Sequence, residues 1–146
     1  MNRIVVGVDG SECARRALAW AIDEAILRGG AEVVAVHAWS YPIIPAPVAP
    51  ILPITSSSID FKEEAHQTLE REIKEVTGGR DDVTIERHVV AGSAASELLR
   101  AAETADMLVV GSRGLGGFRG LLLGSVGQQC AQYARCPVVI LPHDER

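Results

Sequence analysis

Four short runs constrain this chain more than anything else in it: Ile4-Val5-Val6-Gly7-Val8, Val33-Val34-Ala35-Val36, Met107-Leu108-Val109-Val110 and Val138-Val139-Ile140-Leu141. Each is apolar at successive positions, and successive residues of a strand point to opposite faces of its sheet. Strands of this kind are buried on both faces, the situation of a parallel sheet covered by helices. A fifth run, Val83-Thr84-Ile85-Glu86-Arg87-His88-Val89, alternates in part and reads as a strand with one wetter face at a sheet edge.

The segments between these runs supply the cover. After the turn glycine Gly10 and the capping residue Ser11, the positions Ala14, Ala17, Leu18, Ala21 and Ala25 recur at helical spacing until Gly29-Gly30. Phe61, Ala65, Leu69, Ile73 and Val76 mark a second helix, ended by Gly78-Gly79. Its Glu63, Glu64, Glu70 and Glu75 are most simply a solvent face and not a metal cluster. Gly92-Ser93 opens a third helix carrying Leu98, Leu99 and Ala102, and a fourth begins near Ser125 and ends before Pro137. Strands separated by helical crossovers are repeated βαβ units, hence an α/β fold with a parallel sheet and helices on both faces. A length of 146 residues suits one domain over 1–146.

The formal net charge of −5 opposes diffuse attraction to nucleic acid or to anionic lipid, so any phosphate site has to be local. Cys13, Cys130 and Cys136 form no CxxC pair and read as reduced thiols; the opening run is too short for a signal-peptide core, and a cytoplasmic location is expected. Residues 33–59 lack Asp, Glu, Lys and Arg, but Pro42, Pro45, Pro47, Pro50 and Pro53 forbid a continuous membrane helix there. The apolar, proline-rich loop at about 40–57 reads as packed on its own domain or poorly ordered, the alternative being a lid or partner surface that responds to a ligand.

The sharpest chemical feature is Gly111-Ser112-Arg113-Gly114, nine further residues, and then Gly124-Ser125, placed between a buried strand and a helix start. A glycine turn lets backbone amides approach phosphate oxygens, and a new helix adds unpaired N–H groups and the positive end of its dipole. Ser125 adds a hydroxyl and Arg113 a cation, the competing reading of Arg113 being a solvated loop cation, which is the reading preferred for Arg119. The only lysines are Lys62 and Lys74, so the P-loop pattern is absent, and Val8-Asp9-Gly10-Ser11 does not follow the GxGxxG fingerprint of dinucleotide sites.

In these features the chain resembles the universal stress proteins, and within them the nucleotide-binding branch. The likeness runs from Val6-Gly7-Val8-Asp9-Gly10-Ser11 through His37, Gly92 and Asp106 to Gly111-Ser112-Arg113-Gly114, Gly124-Ser125-Val126 and Cys136-Pro137-Val138. The family motif G-x2-G-x9-G-[ST] is met at Gly111, Gly114, Gly124 and Ser125, while Gly116, Gly117 and Gly120 are extra glycines at free positions. The resemblance implies a Rossmann-like sheet of five parallel strands in order 3-2-1-4-5, which brings Asp9 and Gly111 to one cleft where the winding reverses. It implies Gly7, Asp9 and backbone near Ala38 around an adenosine, Val110 and Gly111 near its ribose, and Arg113, Gly114, Gly124, Ser125 and Val126 around its phosphates. It also implies a homodimer through the last strand, Val138, Val139, Ile140 and Leu141.

The expected ligand is ATP, with Mg²⁺ on its phosphates, and the expected role is a binding module whose occupancy alters conformation or partners. AMP or cyclic AMP on the same fold is the nearest alternative, a nucleotide-independent dimeric interaction protein the next, and a true ATP-dependent enzyme the third. Catalysis is not expected, because no charged base, nucleophile or P-loop lysine is placed to activate water. For the glycines the competing reading is a purely structural turn; for Asp9 it is an Asx turn with Ser11, which is compatible with a ligand contact. His37 reads as a packed, hydrogen-bonded histidine, and His66, His88 and His143 show no partner pattern.

Overall fold

The computed structural model describes residues 1–40, 57–115 and 121–144. Most of the proline-rich loop and the extra glycines Gly116, Gly117 and Gly120, together with Arg119, lie outside the described residues. The elements follow in the order β1 (Arg3–Gly7), α1 (Glu12–Leu27), β2 (Glu32–Trp39), α2 (Ser57–Thr77), β3 (Ile85–Ala91), α3 (Ala94–Ala102), β4 (Met107–Gly111), α4 (Ser125–Tyr133) and β5 (Val138–Leu141). The strands form one parallel sheet in the order β3-β2-β1-β4-β5.

The apolar runs explain the layering. Ile4, Val6, Val33, Ala35 and Val109 turn to one face, where Ala17, Leu18 and Ala21 of α1 and Leu69 and Ile73 of α2 cover them. Val5, Val34, Val36, Leu108 and Val110 turn to the other, against Leu98 and Ala102 of α3 and Cys130 of α4. Each fully buried Val, Leu or Ile contributes about 1.5–3 kcal/mol of transfer free energy, so a two-sided sheet is strongly favoured over any register that wets one face.

Local chemistry sets the ends of the elements. Ser11 Oγ accepts from the Ala14 amide at 3.2 Å and caps α1, and Gly29 and Gly30 end that helix at φ 85° and 96°, values that side chains disfavour. Asp106 accepts from the Asn2 and Arg3 amides at 2.7 and 3.0 Å, tying the start of β1 to the start of β4. Glu63, Glu64, Glu70 and Glu75 are exposed as expected, but Glu72, which no periodicity singles out, is 1% exposed. Arg15 of α1 grips its carboxylate with two hydrogen bonds, at 2.8 and 3.2 Å, and clamps α1 to α2.

The two edge strands separate expectation from outcome. β3 is an edge with a half-wet pattern, as its alternation predicts. β5, whose run reads as fully buried, is half-buried at all four positions. Among the described residues it pairs only with β4 and has no strand on its other side, although Val139 and Leu141 pack on one core and Val138 and Ile140 on the second. Among the described residues no helix is long and apolar enough to cross a membrane.

Candidate functional site

The sheet winds outward in both directions from the adjacent strands β1 and β4, and their carboxyl ends open a crevice, the usual ligand position in open α/β sheets. A cleft of about 490 Å³, partly open to solvent, occupies it. Val8, Val36, Ala38, Leu98, Val110 and Val126 make much of its wall apolar, while Asp9 and Arg113 stand at its polar side.

Each wall has a local cause. After β1 the chain turns at Gly10, whose φ of 84° favours glycine, and Asp9 Oδ1 accepts from the Ser11 amide at 2.8 Å. That Asx turn fixes Asp9 at the cleft. At the end of β4, Ser112 donates its amide to the Leu141 carbonyl at 2.8 Å and accepts from the Gly124 amide at 2.6 Å, joining β5 and the start of α4 to one buried residue. Arg113 Nε donates to the Leu121 carbonyl at 3.1 Å and so ties the entry of the glycine loop to its exit.

Gly7 and the motif glycines Gly111 and Gly114 differ from the third motif glycine, Gly124, in what surrounds them. A Cβ on Gly111 would meet Cys13 Cβ at 2.6 Å, the Cys13 carbonyl carbon at 2.8 Å and the Ala14 nitrogen at 3.0 Å, so glycine is required there by the close approach of α1. On Gly7 it would lie 3.0 Å from Leu98, and on Gly114 2.8 Å from Asp9 Oδ2. Gly124 has no such neighbour: its φ is −73°, and a Cβ would make ordinary contact with the Ser112 carbonyl oxygen at 3.4 Å. It is the N-cap of α4, and no side chain caps that helix, whereas Ser11 caps α1 and Ser93 caps α3. Among the described residues, no side chain gives the first turn of α4 the cap that Ser11 gives α1 and Ser93 gives α3.

Of the residues singled out in the sequence, Gly7, Asp9, Ala38, Val110, Gly111, Arg113, Gly114 and Val126 line this one cleft. Gly124 and Ser125 do not line it; they form the cap and first residue of α4, beside Val126, which does. Ala14, Val36, Ala94 and Leu98 also line it and were not singled out. The Gly92-Ser93 turn was the available signal for Ala94 and Leu98, since it starts the helix whose first turns face the cleft. His37 Nδ1 donates to the Val8 carbonyl at 2.7 Å, the packed role expected of it. Two other histidines do have partners: His88 Nε2 lies 2.5 Å from Glu86 Oε1, and His143 Nδ1 lies 3.6 Å from Cys13 Sγ. Among the described residues no group of three or more His, Cys, Asp or Glu side chains is placed to hold a metal ion.

Comparison with known proteins agrees with this architecture. The model of the universal stress protein family matches residues 1–142. Universal stress protein Rv2623 of Mycobacterium tuberculosis is 39% identical over 137 residues, which make up 94% of this chain and 44% of that protein. The chain therefore spans less than half the length of the curated relatives it matches. Among solved structures, universal stress protein UspA from Lactobacillus plantarum superposes with a TM-score of 0.77 at 19% identity, covering 96% of this chain and 97% of that one. A universal stress protein in complex with cAMP gives a TM-score of 0.58 at 31% identity, covering 96% and 95%.

Proposed function

The chain belongs to the universal stress protein family, and from that premise we propose that it binds an adenine nucleotide, ATP, in the cleft between the ends of β1 and β4. The observation that carries this reading is the start of α4. A glycine holds the cap position although its φ and its surroundings accept a side chain, and the amides that a Ser or Asp would have capped are left for an external acceptor. A helix N-terminus approached through glycines is a favourable place for phosphate oxygens, by hydrogen bonding and by its dipole. Val126 carries that end of the helix to the cleft, and Arg113 and the Gly111–Gly114 turn face it.

The rest of the cleft suits the rest of the nucleotide. Its apolar wall of Val8, Val36, Ala38 and Leu98 fits the faces of a purine, and Asp9, fixed by its bond to the Ser11 amide, offers Oδ2 as an acceptor for a ribose hydroxyl or an exocyclic amine. Asp9 is the only carboxylate among the described residues lining the cleft, so Mg²⁺ would be held mainly by the triphosphate itself and would neutralise part of its charge. In the proposed role occupancy changes conformation or partners, and the protein is a binding module. No P-loop lysine is present in the chain, and among the described residues lining the cleft there is no Ser, Thr, Cys, His or Lys to act as a nucleophile or base, so any hydrolysis should be slow.

β5 supports the further proposal of a homodimer. Among the described residues its outer edge has no strand beside it, and Val138, Val139, Ile140 and Leu141 are half-buried. A second copy adding its own edge would cover both. Sedimentation at micromolar concentration should give twice the monomer mass, and a monomer would refute the dimer.

A second ligand reading is favoured by one finding, the 31% identical neighbour whose structure is a complex with cAMP. Calorimetry with ATP, AMP and cAMP on the same preparation separates the two. Tightest binding of ATP supports the primary reading, tightest binding of cAMP or AMP supports the second, and no heat with any of them refutes nucleotide binding at this cleft.

A further inference from the structure

Away from the lining of the cleft, the carboxyl ends of β4 and β5 assemble three side chains that are far apart in the chain. Cys13 Sγ, on the first turn of α1, lies 3.6 Å from His143 Nδ1 and 3.9 Å from Ser112 Oγ. Ser112 Oγ in turn accepts from the His143 amide at 3.0 Å, which holds the histidine over the thiol. A nucleophile beside a base that a third group positions is the arrangement that activates thiols.

We infer that Cys13 is a site of oxidation by small hydroperoxides, with His143 as the base that takes its proton. In the step, the thiol proton passes to His143 Nδ1 and Sγ attacks the terminal peroxide oxygen. The S–O bond forms as the O–O bond breaks, and the leaving alkoxide or hydroxide takes the proton back from His143. Cys13–SH and ROOH thus give Cys13–SOH and ROH; sulfur loses two electrons and the peroxide gains them. The size limit follows from burial. Cys13 is 3% exposed, and His143, which lies against it, belongs to the exposed segment 142–144, where Arg16 Nη1 donates to the Pro142 carbonyl at 2.8 Å. Local opening of this exposed segment admits a small oxidant.

The other two thiols provide an internal control. Burial pushes Cys130 up to about 11, and burial likewise raises Cys136, so neither is favoured as a nucleophile at neutral pH. The folded chain is treated with hydrogen peroxide at pH 7, the sulfenic acid is trapped with dimedone, and the labelled peptide is located by mass spectrometry. Labelling at Cys13 ahead of Cys130 and Cys136 is expected. Because a free thiol is only a few per cent thiolate at pH 7, His143→Phe and His143→Gln should each slow it by about tenfold or more. Labelling of Cys136 or Cys130 in preference to Cys13, wild-type rates in both variants, or slowing in one variant alone would overturn the inference.

Discussion

Replacing Gly124 with Asp should move stability and nucleotide binding in opposite directions. The backbone there, φ −73° and ψ 172°, is the extended conformation of an N-cap, and a Cβ meets nothing closer than the Ser112 carbonyl oxygen at 3.4 Å. The Asp side chain can therefore cap α4 as Ser11 caps α1. Going from Gly to Asp at a cap gains a few tenths of a kcal/mol, and the charge at the helix start adds about 0.3–1 kcal/mol. The melting temperature of the nucleotide-free protein should rise by roughly 2–4 °C. The same carboxylate then occupies the place proposed for phosphate. Two like charges about 4 Å apart repel by about 4 kcal/mol at an effective dielectric of about 20, which is on the order of a thousandfold in affinity. Differential scanning calorimetry and ATP titration of the one variant test both halves. A variant that is stabilised and still binds ATP as the wild type does would refute the assignment of the phosphates to α4.

The remaining predictions concern packing and charge. Gly111→Ala should destabilise the protein by about 1–3 kcal/mol in urea, with or without nucleotide, because the new methyl group meets the backbone of α1 and not a side-chain tip. Arg15→Ala leaves the Glu72 carboxylate buried without its main partner and should cost about 1–3 kcal/mol, a loss that a further Glu72→Leu change should largely restore. The Asn2 and Arg3 amides hold the Asp106 carboxyl below its ordinary range. A depressed folded value means its contribution is complete above the ordinary aspartate range and is lost as pH falls through the folded value. The stability gap between wild type and Asp106→Ala, followed by thermal melts against pH, should accordingly shrink on acidification; a gap that grows would contradict the assignment.

The architecture was legible because four of its five strands carry runs apolar at successive positions and its helices begin and end at residues with a local function. Ser11 and Ser93 cap as read, and Gly29-Gly30 stops α1. What escaped the sequence depended on pairs distant along the chain. Glu72 is buried because Arg15, 57 residues away, satisfies it, and helical spacing alone assigns no such partner. β5 is half-buried because its composition reports the cores it faces while its exposure depends on the strand that is not beside it. The motif glycines were legible as a set but not by cause. Gly111 is demanded by α1, Gly114 is crowded by Asp9, and Gly124 meets no contact among the described residues that requires a glycine. The contact of Cys13 with His143 spans 130 positions and has no signature in spacing.

The most direct test follows the backbone amides themselves while ATP and Mg²⁺ are added to the isotopically labelled protein. The account expects the amide resonances of Gly111, Gly114, Ser125 and Val126 to move together and saturate with one affinity, while those of Thr77 to Arg87, at the far edge of the sheet, stay in place. Saturating ATP that leaves the α4 amides unmoved, or that shifts only residues remote from the β1–β4 crevice, would contradict it.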